Sequence, residues 1–232
     1  MAQALSLNSD LIDNIFRYAK PLGHHQESRN LNLGFGFLYY GLVRALRPMH
    51  VLVIGSGFGF SVVCLALGIK DNEEGRLSFV DPSYSLLRNG PFKTVGGIGK
   101  WDNPVRVREH FEQFGVAEIV HHYKQTSEEF FPSYRVSKLP PIDVAFVDGN
   151  HSLTSVRHDF LEVFAHCRKN SYIFLHDTHL PIRELVHHSG VNRWLKILKK
   201  EPELFEIINF PFDSGVALIR VKARRPWKCE CR

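Results

Sequence analysis

Seven short apolar runs, a glycine-rich turn after the first, and a closing pair of runs around residues 211–215 predict a doubly wound α/β fold. The first five runs alternate with helix-like segments, the pattern of a mostly parallel sheet covered on both faces. The last two, residues 205–210 and 216–221, bracket Pro211-Phe-Asp-Ser-Gly215 and predict an antiparallel C-terminal hairpin on the edge of a seven-stranded sheet.

In chain order, Asn8-Ser9-Asp10 offers an N-cap, and Leu11, Ile12, Ile15 and Phe16 keep helical spacing, so residues 8–20 are expected to be helical. Residues 21–32 are polar and loop-like; residues 34–46 resume an apolar helical pattern. Val51–Ile54 is a buried strand before the glycine turn, and residues 61–67 form the next helix, ending at Gly68. Residues 77–80 make a second strand ending at Asp81, after which Pro82 opens a helix through residue 87. Residues 89–103, rich in glycine and containing Trp101, are expected to be a long loop. A helix over 105–114 stops at Gly115. Residues 119–123 form the third strand, and Gln125-Thr-Ser-Glu-Glu129 caps a short helix. The fourth strand (142–147), a helix (153–167) and the fifth strand (172–175) follow. Residues 181–200 are helical, with a break near Gly190.

A chain of 232 residues is long enough to bury a core, and 23% charged residues argue against disorder. The net charge of +5 is spread along the sequence, except for the basic stretch 222–228. No Asn/Asp-Pro-Pro-aromatic block follows the fourth strand, so a nucleic-acid substrate is not expected. Cys229 and Cys231 are one residue apart, too close for the usual zinc pair; Cys64 and Cys167 sit in or after helical stretches. There is no basic-then-apolar leader, and no run approaches the ~20 apolar residues of a membrane span. The expected compartment is the cytoplasm, with no membrane partner.

The chemistry gathers at strand C-termini, where doubly wound sheets bind ligands. Gly55, Gly57 and Gly59, with Ser56 and Ser61, form a turn that lets backbone approach a ligand and aims free N–H groups at it. Asp81, at the end of the second strand, stands where a ribose hydroxyl pair is held, or caps the helix after it. Asp148-Gly-Asn-His-Ser152 ends the fourth strand and His176-Asp177 the fifth. Carboxylates and imidazoles at adjacent strand ends suit a divalent metal or an acid–base site. Taken singly, Asp148 can cap a helix, His151 can be an exposed loop residue and Asp177 can bond to backbone; their convergence is what points to function. Asp159, on the following helix, either orients that helix or is solvated, and solvation is the expected reading. His121 and His122 face opposite sides of a strand. His24, His25 and Trp101 fit a substrate-covering segment, without a spacing rule to support it, as does nothing for His187-His188.

This order of motifs resembles the class I S-adenosylmethionine-dependent methyltransferases, with their Rossmann-like sheet, over nearly the whole chain. The Asp148–Ser152 block, followed by Asp159 on the next helix and by His176-Asp177, is similar to small-molecule O-methyltransferases related to macrolide sugar methyltransferases and cephalosporin hydroxylase; catechol-type enzymes share the layout more distantly. The resemblance implies that Gly55, Ser56, Gly57, Gly59 and Ser61 hold the methionine end of S-adenosylmethionine. It implies that Asp81 takes the ribose and that Thr126 or Ser127 lines the adenine. Asp148 would border the cofactor, and with Asp177 and His176 it would bind a divalent metal, magnesium, manganese or another. His151, with Asp148, would carry the catalysis, as general base. Two positions depart from the pattern: His176 replaces a glutamate and is a poor magnesium ligand, and Val53 replaces an acid before the glycine turn.

The expected function is O-methylation of a small hydroxylated acceptor, a sugar or a phenol, by a chain that is monomeric or a homo-oligomer. Two alternatives stand beside it: a nicotinamide-dependent oxidoreductase, disfavoured by the short glycine pattern, and a methyltransferase-like binding protein without catalysis. The expected organisation is an N-terminal helical lid (1–50), a cofactor-binding domain (51–222) and a basic tail (223–232).

Overall fold

The computed structural model describes residues 5–84, 87–89, 92–94, 99–185, 189–224 and 227. Cys229, Cys231 and His187-His188 lie outside the described residues. The main sheet contains β1 (His50–Ile54), β2 (Arg76–Val80), β5 (Val120–Tyr123), β6 (Ile142–Val147), β7 (Cys167–His176), β8 (Phe205–Phe210) and β9 (Val216–Val221), and β3 (Leu87–Asn89) pairs separately with β4 (Phe92–Thr94). The sheet order is β5-β2-β1-β6-β7-β9-β8. The first five of these are parallel; β9 is antiparallel to both β7 and β8, which is the expected hairpin inserted next to β7.

Strand alternation divides the core into a layer on each face. Val51 and Val53 pack with Phe79 and Phe146 on one side, while Leu52 and Ile54 pack with Val80 and Ala145 on the other. Val53 is fully buried among these apolar groups, so an acid there would need a partner this core does not supply. The first layer is covered by α1 (Ser9–Asn14), α2 (Phe35–Leu46), α3 (Phe60–Asn72) and α4 (Pro104–Glu112). The second is covered by α5 (Ser127–Val136), α6 (Leu153–His166) and α8 (Val191–Leu198); α7 (Pro181–Leu185) is a short turn of helix before α8.

Several boundaries differ from the sequence reading, each for a local reason. Gly68 does not end α3: a Cβ there would lie 2.8 Å from Val43, so the glycine lets α2 pack closely on α3. Helix α1 loosens at Ile15–Ala19 into a π-helical turn that closes with Lys20 in the left-handed region. No helix opens at Pro82, because Asp81 Oδ1 accepts the Ser83 N–H at 2.7 Å and holds the chain in a turn. The expected loop 89–103 includes β4 and one residue of β3. Strand β7 starts five residues early, at Cys167, because Ser171 Oγ bonds both Arg168 N–H and Ile142 carbonyl across a bulge that carries Arg168–Asn170 outward.

The break between α7 and α8 falls at Gly190, whose Cβ would lie 2.3 Å from the backbone N and Cα of Leu153. Gly190→Ala is therefore expected to cost about 2 kcal/mol, read as a lower urea midpoint at unchanged slope. A midpoint within error of wild type would show that the α6 N-terminus moves aside freely.

Candidate active site

Parallel register brings the functional strand ends into one row. Gly55 N–H donates to Val80 carbonyl, Asp81 N–H to Tyr123 carbonyl, and Asp148 N–H to Ile54 carbonyl, so each acid or glycine follows directly on the sheet ladder. One cavity of about 550 Å³ runs along this row and is lined by the glycine turn, Asp81, Ser127, Asp148, His151 and His176, among others. Ser61, buried beneath the turn, instead hydrogen-bonds Ser56 Oγ at 2.7 Å and braces it from below.

Gly55 has φ of 70°, and a Cβ on it would lie 2.4 Å from Asp148 carbonyl oxygen; only glycine fits where the turn crosses the end of β6. Gly59, at φ 92°, starts α3 in the left-handed region. Asp81 is buried, and that burial pushes its carboxyl up to about 6, against the pull of Ser83 and Ser56 backbone N–H groups. At the next strand end, Thr126 caps α5 through a capping box with Glu129, while Ser127 Oγ donates to Asp159 Oδ1 at 2.5 Å.

Asp159 corrects the sequence reading. It is 3% exposed rather than solvated, and it lines the cavity. Its carboxyl is turned toward Ser127 at the start of α5 and toward the Gly149 turn. Burial pushes its carboxyl up to about 6, with the Ser127 bond opposing.

At the other end of the row lie two carboxylates and two imidazoles. His151 Nε2 is 3.4 Å from Asp148 Oδ1, and His151 Nδ1 is 3.0 Å from Asp177 Oδ2. The second contact is close but out of line, leaving Nδ1 a buried nitrogen without a hydrogen bond. His176 Nδ1 lies 3.0 Å from Asp148 Oδ1 and 3.3 Å from Asp177 Oδ1. Its Nε2 meets the Gly23 carbonyl at 3.2 Å, so that nitrogen carries a proton. Burial alone would raise Asp148, but His176 and then His151 hold its carboxyl well below the usual carboxylate range. Burial would likewise lower His176; Asp148 and then Asp177 outweigh it and raise the imidazole to about 9. His151 is raised in the same sense, Asp177 and Asp148 overcoming desolvation. Asp177 holds this position with φ of 59°, an uncommon conformation for a non-glycine residue and one that occurs at functional turns. Helix α6 is capped by Ser152, not Asp148, which leaves the Asp148 carboxylate to the cavity.

Two further groups line the cavity: His24, which the sequence offered only as part of a covering segment, and Ser214, which it did not place. His24 is buried, stacks on His176 at 4.3 Å between ring centroids and hydrogen-bonds the Tyr39 hydroxyl at 3.0 Å. Burial, then His176, lower its pKa well below the ordinary value, so it is a neutral ring. Ser214, in the β8–β9 turn, donates to Gly23 carbonyl at 2.8 Å and joins the hairpin to residues 20–24. The His24-His25 pair was a visible signal, but nothing in the local sequence announces Ser214. Trp101, by contrast, is not a covering residue: it is buried against Phe111, with rings stacked at 5.6 Å. His25 turns to Phe212 outside the cavity, and His121 is exposed. No helix among the described residues is long and apolar enough to cross a membrane.

A family model described as a methyltransferase domain matches residues 52–178, more than half of the chain. The protein y4gI of Sinorhizobium fredii is 25% identical over 179 residues, 77% of this chain; the chain spans 18% of that relative's length. Among solved structures, the O-methyltransferase from Bacillus cereus in complex with S-adenosylhomocysteine has a TM-score of 0.66 at 15% identity, covering 93% of this chain and 92% of that one. The O-methyltransferase TomG from Streptomyces achromogenes, involved in tomaymycin synthesis and solved with S-adenosylmethionine, has a TM-score of 0.65 at 16% identity, with coverage of 94% and 91%. These matches set aside the nicotinamide alternative. With the family match over β1 to β7 and a sheet that closes in the same C-terminal hairpin, the chain belongs to the methyltransferase-domain family, on the class I S-adenosylmethionine-dependent methyltransferase fold.

Proposed function

We propose that the protein transfers the methyl group of S-adenosylmethionine to a hydroxyl of a small acceptor. The observation that carries this reading is the single cavity, with a glycine turn and Asp81 at one part and the Asp148–His151–His176–Asp177 cluster at another. In this reading the turn of Gly55, Ser56, Gly57 and Gly59 holds the methionine end of the cofactor, with Ser61 bracing it. Asp81 takes the ribose, where two hydroxyl donors would offset the desolvation of its carboxylate. Thr126 and Ser127 border the adenine, and Asp148 stands between cofactor and acceptor.

The sulfonium methyl is already activated, so the protein's work is alignment and removal of one proton. His151 is the base in this reading: its side chain is 10% exposed, and its neighbouring carboxylates raise its basicity. His24 and Gly23 wall the acceptor side, which gives residues 1–50 their covering role. A phenol or a sugar hydroxyl fits the chemistry equally.

A second reading is favoured by one observation. Ligand atoms of Asp148, His151 and Asp177 lie within 4.8 Å of one another, and the orphaned His151 Nδ1 is among the available donors. These three residues would hold a divalent cation, which when bound would supply Lewis acidity to an acceptor oxygen. His176 is less suited than expected, since Nε2 is committed to Gly23 and only Nδ1 remains.

Calorimetry with S-adenosylmethionine and NAD tests the cofactor, and binding of the first alone is expected. Failure to bind S-adenosylmethionine would discard the proposal. A methyl-transfer screen with and without chelator then separates the two readings of His151, and binding without turnover on any acceptor would favour a binding protein.

A further inference from the structure

We propose that His24 is a specificity residue whose Nε2–H donates a hydrogen bond to a second oxygen of the substrate, beside the hydroxyl that is methylated. The inference rests on the methyl-transfer reading and deepens it. The residue is held from several sides. Its backbone N–H donates to Gln26 Oε1 at 2.8 Å, and its carbonyl accepts the Phe35 N–H at 2.8 Å. The imidazole stacks on His176 at 4.3 Å and packs against Phe60 at 4.6 Å between ring centroids.

Tyr39 decides where the proton of this ring sits. Its side chain is fully buried against Phe146 and Phe174, and His24 Nδ1, at 3.0 Å, is the only hydrogen-bond partner of its hydroxyl among the described residues. A buried hydroxyl proton without an acceptor is costly, so Tyr39 donates and Nδ1 accepts. The ring proton is then on Nε2. That nitrogen has no partner among the described residues. Unlike His151 Nδ1 it is not sealed in the interior, and it opens on the cavity that His24 lines. The donors beside it are spent. His176 gives Nδ1–H to Asp148 and Nε2–H to the Gly23 carbonyl, and Ser214 gives its hydroxyl to the same carbonyl. Asp148 and Asp177, as carboxylates, only accept. They suit the hydroxyl that gives up its proton, whereas His24 suits an oxygen that offers a lone pair. The site therefore selects a substrate with an ether, carbonyl or hydroxyl oxygen next to the reacting hydroxyl, because a methylene there would leave Nε2–H unpaired.

The test uses two probes of matched shape, guaiacol and ortho-ethylphenol, which differ by an ether oxygen in place of a methylene. Their affinities for the S-adenosylhomocysteine complex are measured by calorimetry in wild type and His24→Phe. Wild type is expected to favour guaiacol about tenfold, the scale of one buried hydrogen bond made or left unmade. In His24→Phe, which keeps an aromatic ring on His176 but has no donor, the preference is expected to fall to within about twofold. A merely structural role would weaken both probes alike and leave their ratio unchanged. The ratio on one preparation is also insensitive to the folded fraction, so a partly unfolded variant still reports. Nitrogen NMR of the histidine rings reads the tautomer directly. A bare Nδ1 and a protonated Nε2 are expected for His24 in wild type, assigned by their loss in His24→Phe, and a mixture of tautomers in Tyr39→Phe. Wild type binding neither probe or both equally, a preference kept in His24→Phe, or a proton on Nδ1 would each overturn the inference alone. No binding of S-adenosylhomocysteine by wild type overturns the cofactor reading and the inference with it.

Discussion

Replacing His151 with alanine is expected to lower methyl transfer by about 10²–10⁴-fold, the usual contribution of a positioned general base, with S-adenosylhomocysteine affinity little changed. The expectation follows from geometry: both ring nitrogens of His151 address the acceptor-side carboxylates, and neither touches the glycine turn or Asp81. The pH dependence carries a sign. Asp177 and Asp148 raise the imidazole above its ordinary value, so the neutral, proton-accepting form is lost as pH falls through a point above ~6.5. The acid limb of kcat should therefore lie above that value in wild type and be absent from the residual activity of the variant. Unchanged turnover would remove His151 from the mechanism. Parallel loss of cofactor binding would assign it a structural role.

The second large effect concerns stability. Asp148→Asn removes one of the two carboxylates that face the buried His176 imidazolium, and uncoupling a buried ion pair of this kind is expected to cost about 3 kcal/mol. His176 is raised in the folded state to about 9, against ~6.5 unfolded. Its stabilising contribution is thus complete below ~6.5 and is lost as pH rises through about 9. In chelator-treated protein, the penalty of Asp148→Asn should be largest near pH 6.5 and shrink by pH 9.5, where the wild-type pair is itself discharging. Urea melts at the two pH values measure this. An equal penalty at both would mean that the Asp148–His176 pair is not what stabilises this edge.

The fold was legible because its signals are local. Five apolar runs alternating with helical segments, and two more on either side of Pro211–Gly215, describe the parallel sheet and its hairpin without long-range information. The misread pieces were those where a side chain overrides local preference. Gly68 resembles a helix stop but serves helix packing, and Asp81 turns the chain where Pro82 suggested a helix. The start of β7 was hidden because Arg168–Asn170 bulge outward and so read as a polar loop.

The sequence by itself determined which residues stand at the strand ends, because continuous apolar runs alternating with helical segments, and the turn chemistry after each run, place Gly55, Asp81, Asp148 and His176 at the same edge. Tertiary structure alone decided their electrostatic state and their company. His176 becomes a cation only because two carboxylates and the Gly23 carbonyl, distant in sequence, enclose it. Asp159 becomes part of the site only because α6 packs its acid toward Ser127 instead of solvent. Hydrophobic patterning is written residue by residue along the chain. Desolvation and pairing depend on what surrounds a group in space, and packing alone creates those surroundings.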